Sequence, residues 1–403
     1  MIDLPDRSDV AILGAGPAGA ALAVALRRAG VAKVTLLDRP ARGAFRIGES
    51  VAPGIAPLLR RLGLPDDLGR YGHSPYHGNR SLWGGVAAVD DFLHRGLGHG
   101  WHLDRAKFDA WLRDAAVCAG AQLLTPARLE AVTRGRNGWD LRIRHNVRTI
   151  DHTATLIVDA SGRRAALGAQ LGVTRRRCDT LVAVATVVPD AASGLGTLSL
   201  VEAAPEGWWY AAALPNGTAL VSLMTDHDLA RAAGWRCPAT FAAAWAATDA
   251  LARRVPPLSI PGGLSIFPAH TQFVECAAGP GWLSVGDALL ALDPLTSAGI
   301  TGAIEDACAA AETICTWLGS TGPGERTAAA DAYARRATHT LRRYLAERHR
   351  VYAAERRWTD RAFWQRRQTA RFGMPMERGR MAALPGFVSN PVRGAGARDS
   401  ACT

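Results

Sequence analysis

The apolar positions near the start of the chain fall in two unbroken runs, Val10 to Leu13 and Val34 to Leu37. Runs without polar interruption suit parallel strands covered on both faces. The intervening GAGPAGAALAVALRRAG reads as a tight turn followed by a helix, with Pro17 and Ala18 at the helix start. Gly14, Gly16 and Gly19 have G-x-G-x-x-G spacing, and Asp38 closes the second run. Together these elements predict a dinucleotide cradle. Gly14 permits the turn, Gly16 lets the backbone approach a pyrophosphate, and Gly19 lets the helix lie against the strand. Asp38 is placed to accept hydrogen bonds from ribose hydroxyls, and the positive end of the helix faces the phosphates.

Two later segments have similar punctuation. LIVDASGRRA is an apolar strand running through Asp159 into a glycine turn. GWLSVGDALLALDPLTSAGITGAIEDA reads as a strand, then Gly286-Asp287, then Asp293-Pro294, with a helix beginning near Gly299. Between them DTLVAVATVV, GTLSLVEAA, EGWWYAAALPNGTALVSLMTD and PGGLSIFPAH predict antiparallel strands, and Asn216-Gly217 predicts a type I′ hairpin turn. From about Thr327 alanine, arginine and aromatic residues recur at helical spacing. Between Glu325 and Phe372 there are 13 arginines against 5 acids, which predicts a solvated basic face, with docking of an acidic partner protein as the alternative. The glycine-rich segment after about Leu384 is expected to fray.

At 403 residues the chain exceeds a single compact core, so two joined domains are expected. Its 48% hydrophobic content argues against disorder. The net charge of +11 comes from arginine, since Lys33 and Lys107 are the only lysines. Without a recognition motif it predicts a solvated surface and no nucleic-acid partner. Seven scattered cysteines lack C-x-x-C spacing, so no metal site is expected and a reducing compartment fits. With no long apolar run, no membrane span is expected; with little chain before the first strand for a secretory leader, the expected location is cytoplasmic. His73, His77 and His270 are the histidines considered as acid or base groups.

The cradle, LIVDASGRRA, the Gly286-Asp287 segment and the helix in GWHLDRAKFDAWLRDAA, taken in order, resemble the FAD-dependent aromatic hydroxylases and flavin-dependent halogenases over roughly residues 8 to 372. The resemblance implies an α/β fold: a Rossmann-like FAD-binding domain, an antiparallel β-sheet substrate domain and a helical C-terminal region. The expected boundaries are 1–172 with 275–330 for the first and 173–274, with contributions from about 70–95, for the second. The third spans 331–403. By the same resemblance FAD is held by Gly14, Gly16, Pro17, Ala18, Gly19, Asp38, Arg39, Arg46, Gly48, Arg105, Asp159, Gly286, Asp287, Pro294, Ala298, Gly299 and Ile300.

RIGESVAPG resembles the halogenase element G-E-[ST]-x-x-P, which lies along the isoalloxazine ring, and so places Glu49 and Ser50 beside it. Halogenases also use a tunnel lysine and, when they act on tryptophan, a nearby glutamate. Here YHGNRSLWGG offers Asn79 and Arg80 in place of the lysine, and Thr296, followed by Ser297, stands where the glutamate belongs. Arginine, with a pKa above about 12, is no substitute for an amine that must give up a proton. The halogenase W-x-W-x-I-P element is replaced as well: aligned on Pro215, Tyr210 and Ala212 stand for its two tryptophans. Trp83, Trp208, Trp209, Tyr210, Ala212 and Pro215 are the expected substrate lining.

VYAAERRWTDRAFWQRR resembles the flavoproteins that hydroxylate a protein-borne tryptophan during tryptophylquinone cofactor biogenesis. The expectation is an FAD-dependent monooxygenase that uses a flavin hydroperoxide, with Glu49, Ser50, Asn79, Arg80, Thr296 and Ser297 in catalytic roles. The partners implied are O2, a tryptophan-containing protein or peptide, and NAD(P)H as transient reductant or a separate flavin reductase. Four alternatives stay open: a flavin-dependent halogenase, a hydroxylase of a small aromatic metabolite, a reductase or oxidase of a lipid-like substrate, and a flavin-binding partner protein without catalysis.

Overall fold

The computed structural model describes residues 6–39, 46–256, 260 and 262–369. Five parallel strands lie side by side in the order Gln122–Leu124, Val34–Leu37, Arg7–Leu13, Arg148–Asp159 and Trp282–Ser284. The first apolar run is continuous because both faces of its strand are covered. Val10 and Ile12 pack among the helices Pro17–Arg28 and Gly299–Gly319, whereas Ala11 and Leu13 pack beneath the antiparallel strands Ala127–Gly135 and Gly138–His145.

The glycine spacing has a steric origin. Gly14 sits at φ +104°, and a Cβ there would lie 2.3 Å from the Ala160 carbonyl oxygen. A Cβ on Gly19 would fall 1.9 Å from the Gly14 oxygen, so the helix Pro17–Arg28 can approach its strand only without one.

A second sheet of seven strands runs Ser265–Pro268, Leu181–Val188, Ala219–Asp226, Gly207–Ala213, Leu198–Ala204, Gly78–Trp83 and Val86–Asp91. The pairing of Leu198–Ala204 with Gly78–Trp83 is parallel and the other five are antiparallel. Side chains alternate across the Gly207–Ala213 strand. Trp208 and Tyr210 lie on the face that meets Tyr352, Phe363 and Trp364 of the C-terminal region, whereas Trp209 packs behind with Phe241, ring centroids 5.0 Å apart. Trp209, expected to line the substrate site, is therefore core.

The Asn216-Gly217 hairpin forms, but its turn is not type I′. Gly217 has φ +84° and Asn216 is not in the left-handed region; the Gly217 N–H donates to the Leu214 carbonyl. Pro215, with its ring-fixed φ, occupies the first central position of a type I turn, and Gly217 supplies the left-handed residue that follows.

On the rear face, buried Glu202 accepts the backbone N–H groups of Asp249, Ala250 and Leu251 at 2.6–2.9 Å. Glu202→Ala leaves three donors without their acceptor and should lower unfolding free energy by about 2–4 kcal/mol in denaturant titration.

The C-terminal region, with helices Pro323–Ala353 and Ala362–Thr369, keeps most of its basic face in solvent, Arg335, Arg342, Arg343, Arg350, Arg356 and Arg361 being exposed, but two arginines depart from the expected solvated face. Arg348 and Arg367 are buried, pairing with Asp179 and Asp293 and with Asp226 respectively. Arg336, Arg357 and Arg366 form ion pairs too. Sequence counting misses this because the acids that pair with these arginines lie mostly in distant segments. The segment expected to fray lies outside the described residues. No helix among the described residues is long and apolar enough to cross a membrane.

Candidate active site

A cavity of about 290 Å³ opens between the two sheets. Two helix N-termini converge on it, Gly16–Ala18 from one side and Gly299–Ile300 from the other. The amide groups at these ends present partial positive charge. At Gly16 an added Cβ would meet nothing within 4 Å, so the absent side chain leaves a groove open beside the backbone. Gly286, at φ +56°, brings Asp287 to the rim; a Cβ there would lie 2.7 Å from that of Ala18.

The Ile47–Ser50 turn forms another wall. The guanidinium of Arg105 holds it, donating to the carbonyls of Ile47 at 2.8 Å and Gly48 at 3.1 Å. Arg163 lines the cavity beside Asp287, with Nε and Oδ2 at 3.6 Å, and donates to the Leu292 carbonyl at 2.9 Å. The opposite wall is mostly apolar and comes from the second sheet: Trp208, Tyr210, Leu220 and Met224, with Pro268 and Ala269.

A buried polar chain runs back from this wall. Glu49 lies almost wholly buried; its Oε2 accepts the Gly48 N–H at 2.9 Å, and its carboxyl bonds to Tyr210. The Tyr210 hydroxyl is 2.7 Å from Ser50 Oγ, which lies 2.8 Å from His102 Nδ1. Burial raises the Glu49 carboxyl above its ordinary value and lowers His102 to about 4, so this imidazole is neutral at neutral pH. His102 Nε2 has no hydrogen-bond partner among the described residues.

Of the expected site residues, the fold gathers Gly16, Pro17, Ala18, Gly48, Glu49, Ser50, Arg105, Trp208, Tyr210, Asp287, Pro294, Ser297, Gly299 and Ile300 around the cavity. Asp38 is half-buried beside the glycine turn, where it accepts the Ala15 N–H at 3.2 Å. Arg39 is exposed, and Ala298 is the residue before the Gly299–Gly319 helix.

Several others are placed elsewhere. Asp159, expected to contact FAD, has both carboxylate oxygens engaged by Ser161, Leu167 and Gly168 and locks its own turn. Arg46 pairs with Asp109 at 2.6 Å. Asn79 accepts hydrogen bonds from Tyr76 and Ser199. Arg80, one residue on, shares the rear face of the sheet with Leu200 and lies near Arg254. Thr296 does not reach the cavity, and its hydroxyl is buried without a partner among the described residues. Trp83 donates to the Val351 carbonyl at 2.9 Å and packs on Trp364; Ala212 is fully buried beside Leu220, and Pro215 sits in the turn. His73, His77 and His270 bond to Asp104, Thr197 and Gln272 outside the cavity.

Sequence reasoning passed over His102, Asp293, Arg163 and Ser222 as site residues. The last two lay within reach: Arg163 belongs to the quoted SGRR turn, and Ser222 is the cross-strand partner of Tyr210. The Ser222 hydroxyl is buried in the apolar wall without a partner among the described residues.

The family model described as an FAD binding domain matches residues 7–345. LodB of Marinomonas mediterranea, named as an FAD-dependent oxidoreductase, is 30% identical over 370 residues, covering 89% of this chain and 96% of LodB. The structure of QhpG, titled a peptidyl tryptophan dihydroxylase essential for tryptophylquinone cofactor biogenesis, matches with TM-score 0.73 at 27% identity. That match covers 90% of this chain and 79% of QhpG. The myxobacterial chondrochloren halogenase CndH shares the fold, with TM-score 0.80 at 22% identity over 92% of this chain and 87% of its own.

Proposed function

The chain belongs to the FAD binding domain family of halogenase-like oxidoreductases, and from that premise we propose that it is an FAD-dependent monooxygenase that hydroxylates the indole of a tryptophan borne by a partner protein or peptide, in tryptophylquinone-type maturation. One observation carries the choice of oxygen over halogen. The cavity wall has no lysine, because the chain's two lysines, Lys33 and Lys107, lie elsewhere, and Thr296 does not face the cavity. The likeness to QhpG supports the choice of substrate.

The residues present fit FAD. The open groove at Gly16 and the adjoining helix end suit a pyrophosphate, and Asp38 suits a ribose. Asp287 and Arg105 stand where a ribitol chain and its phosphate would pass, and the Gly48 turn and the Pro294–Ile300 segment would flank the ring system. Bound FAD, reduced by NAD(P)H or a flavin reductase, would activate O2 and supply the electrophilic oxygen.

The chain's own groups do the rest. Trp208, Leu220, Met224 and Pro268 exclude water and pack an indole against the ring system. The Ser222 hydroxyl accepts the indole N–H. Glu49 takes up the proton displaced from the attacked carbon; Tyr210 bonds to its carboxyl and is itself held through Ser50 by His102.

Arg105→Met removes the donors that fix the Ile47–Gly48 turn and should weaken FAD binding about tenfold to hundredfold in a fluorescence titration. The reading itself is tested by turnover of a tryptophan-containing peptide with and without bromide. The expected product is hydroxylated under both conditions, and a bromide-dependent halogenated product would overturn the choice.

A further inference from the structure

The cavity loop around Asp293 lies outside the second sheet that carries the substrate wall at Trp208, yet one hydroxyl from a third element joins them. Tyr352, fully buried near the end of the Pro323–Ala353 helix, donates to Asp293 Oδ2 at 2.8 Å and accepts the Trp208 indole N–H at 3.1 Å. The same helix grips Asp293 twice more. Arg348 Nε donates to Oδ2 at 3.2 Å, and the Tyr344 hydroxyl accepts the Asp293 backbone N–H at 2.8 Å. The remaining carboxylate oxygen, Oδ1, accepts the Leu295 N–H at 3.0 Å and so fixes the start of the loop that lines the cavity. Arg348 also ties the junction to Asp179 at 2.8 Å, close to the Leu181–Val188 strand of the second sheet.

We propose that Tyr352 is a positioning residue whose hydroxyl sets the spacing between the Asp293–Gly299 loop and the Trp208 wall. The C-terminal helix is then part of the reaction site, although Tyr352 does not line the cavity. Both hydrogen bonds are made by one atom, so the loop and the wall cannot shift independently without breaking one of them. The neighbouring aromatic and guanidinium groups of Trp83, Phe363, Trp364, Arg348 and Arg367 lie around the Tyr352 ring and hold the ring itself. The hydroxyl is therefore separable from the packing.

The proposal rests on the cavity being the reaction site, and its first test does not require turnover. Tyr352→Phe in the full chain keeps the ring contacts and removes only the two hydrogen bonds. Amide exchange of residues 292–299 in the protein without added FAD should quicken about tenfold, as expected for a lost hydrogen bond to a charged acceptor, while residues 10–28 exchange unchanged. With FAD and NADH added, the variant should release more hydrogen peroxide per NADH oxidised than the parent. Asp293→Asn reaches the same junction from the loop side and should show the same local quickening should Tyr352→Phe fail to fold. Unchanged exchange at 292–299 in a folded variant, or equal quickening at 10–28, would overturn the proposal. Failure to hydroxylate any tryptophan peptide, with the exchange result intact, would count against the oxygenation reading alone.

Discussion

Glu49→Gln lowers the rate of hydroxylation about a hundredfold to ten-thousandfold while FAD binding survives. The magnitude is that of a positioned general base removed from a closed site. Glutamine keeps the length, the volume and an oxygen for the Gly48 N–H, so what disappears is the capacity to hold a proton. The parent enzyme should also show a pH signature. Burial raises the Glu49 carboxyl above its ordinary 4.5, and the reaction needs it ionised, so the rate climbs with pH through a limb above that value and then levels. The variant lacks that limb. The stability effect has the opposite sign: a carboxyl with a raised folded-state pKa binds more protons folded than unfolded, so its contribution falls as pH rises. Glu49→Gln should therefore melt slightly higher than the parent at neutral pH, a gain in stability where function is lost.

The second large effect comes from the glycine cradle, where two neighbouring substitutions should act differently. Gly16→Ala meets nothing within 4 Å and keeps an ordinary backbone conformation, so the variant should fold with an unchanged melting temperature. The new methyl group occupies the groove that a pyrophosphate must enter, and FAD affinity should fall at least about a hundredfold in equilibrium dialysis, roughly 3 kcal/mol. Gly19→Ala drives a Cβ to 1.9 Å from the Gly14 carbonyl oxygen, a backbone atom with no freedom to move aside. That variant should lose stability by about 3 kcal/mol or more and lose FAD with it. An affinity loss shared equally by a stable Gly16→Ala and an unstable Gly19→Ala separates the binding role from the packing role.

How much of this was legible in the sequence follows from where each residue's partners lie. The cradle was readable because strand, turn, helix and acid are contiguous; the steric reason for Gly19 lies with Gly14 close by, whereas that for Gly14 lies with Ala160 across the sheet. The Ile47–Ser50 turn was readable as a motif, but its anchor on Arg105 is a contact across the fold. Arg80 and Trp209 were misplaced for one reason. A strand alternates its faces residue by residue, and a string such as GNRSLW or GWWYAAA does not say which face meets the cavity until the register with Leu198–Ala204 is known. Asp159 looked like a ligand-binding acid because the turn that fills its acceptors with Ser161, Leu167 and Gly168 has a shape the sequence does not display. The basic C-terminal stretch is mostly the solvated face its composition implies, and departs from it at two positions. Arg348 and Arg367 are core cations, and their carboxylate partners are scattered from residue 179 to residue 293.

The proposed reaction transfers oxygen from O2 to a tryptophan within a polypeptide. Its most direct test is intact-mass and fragment analysis of a tryptophan-containing partner peptide after incubation with the enzyme, FAD, NADH, bromide and isotopically labelled O2. The expected product has gained one or two labelled oxygens, confined to the tryptophan residue. A brominated peptide, or oxygen gained without the label, would contradict the proposed reaction.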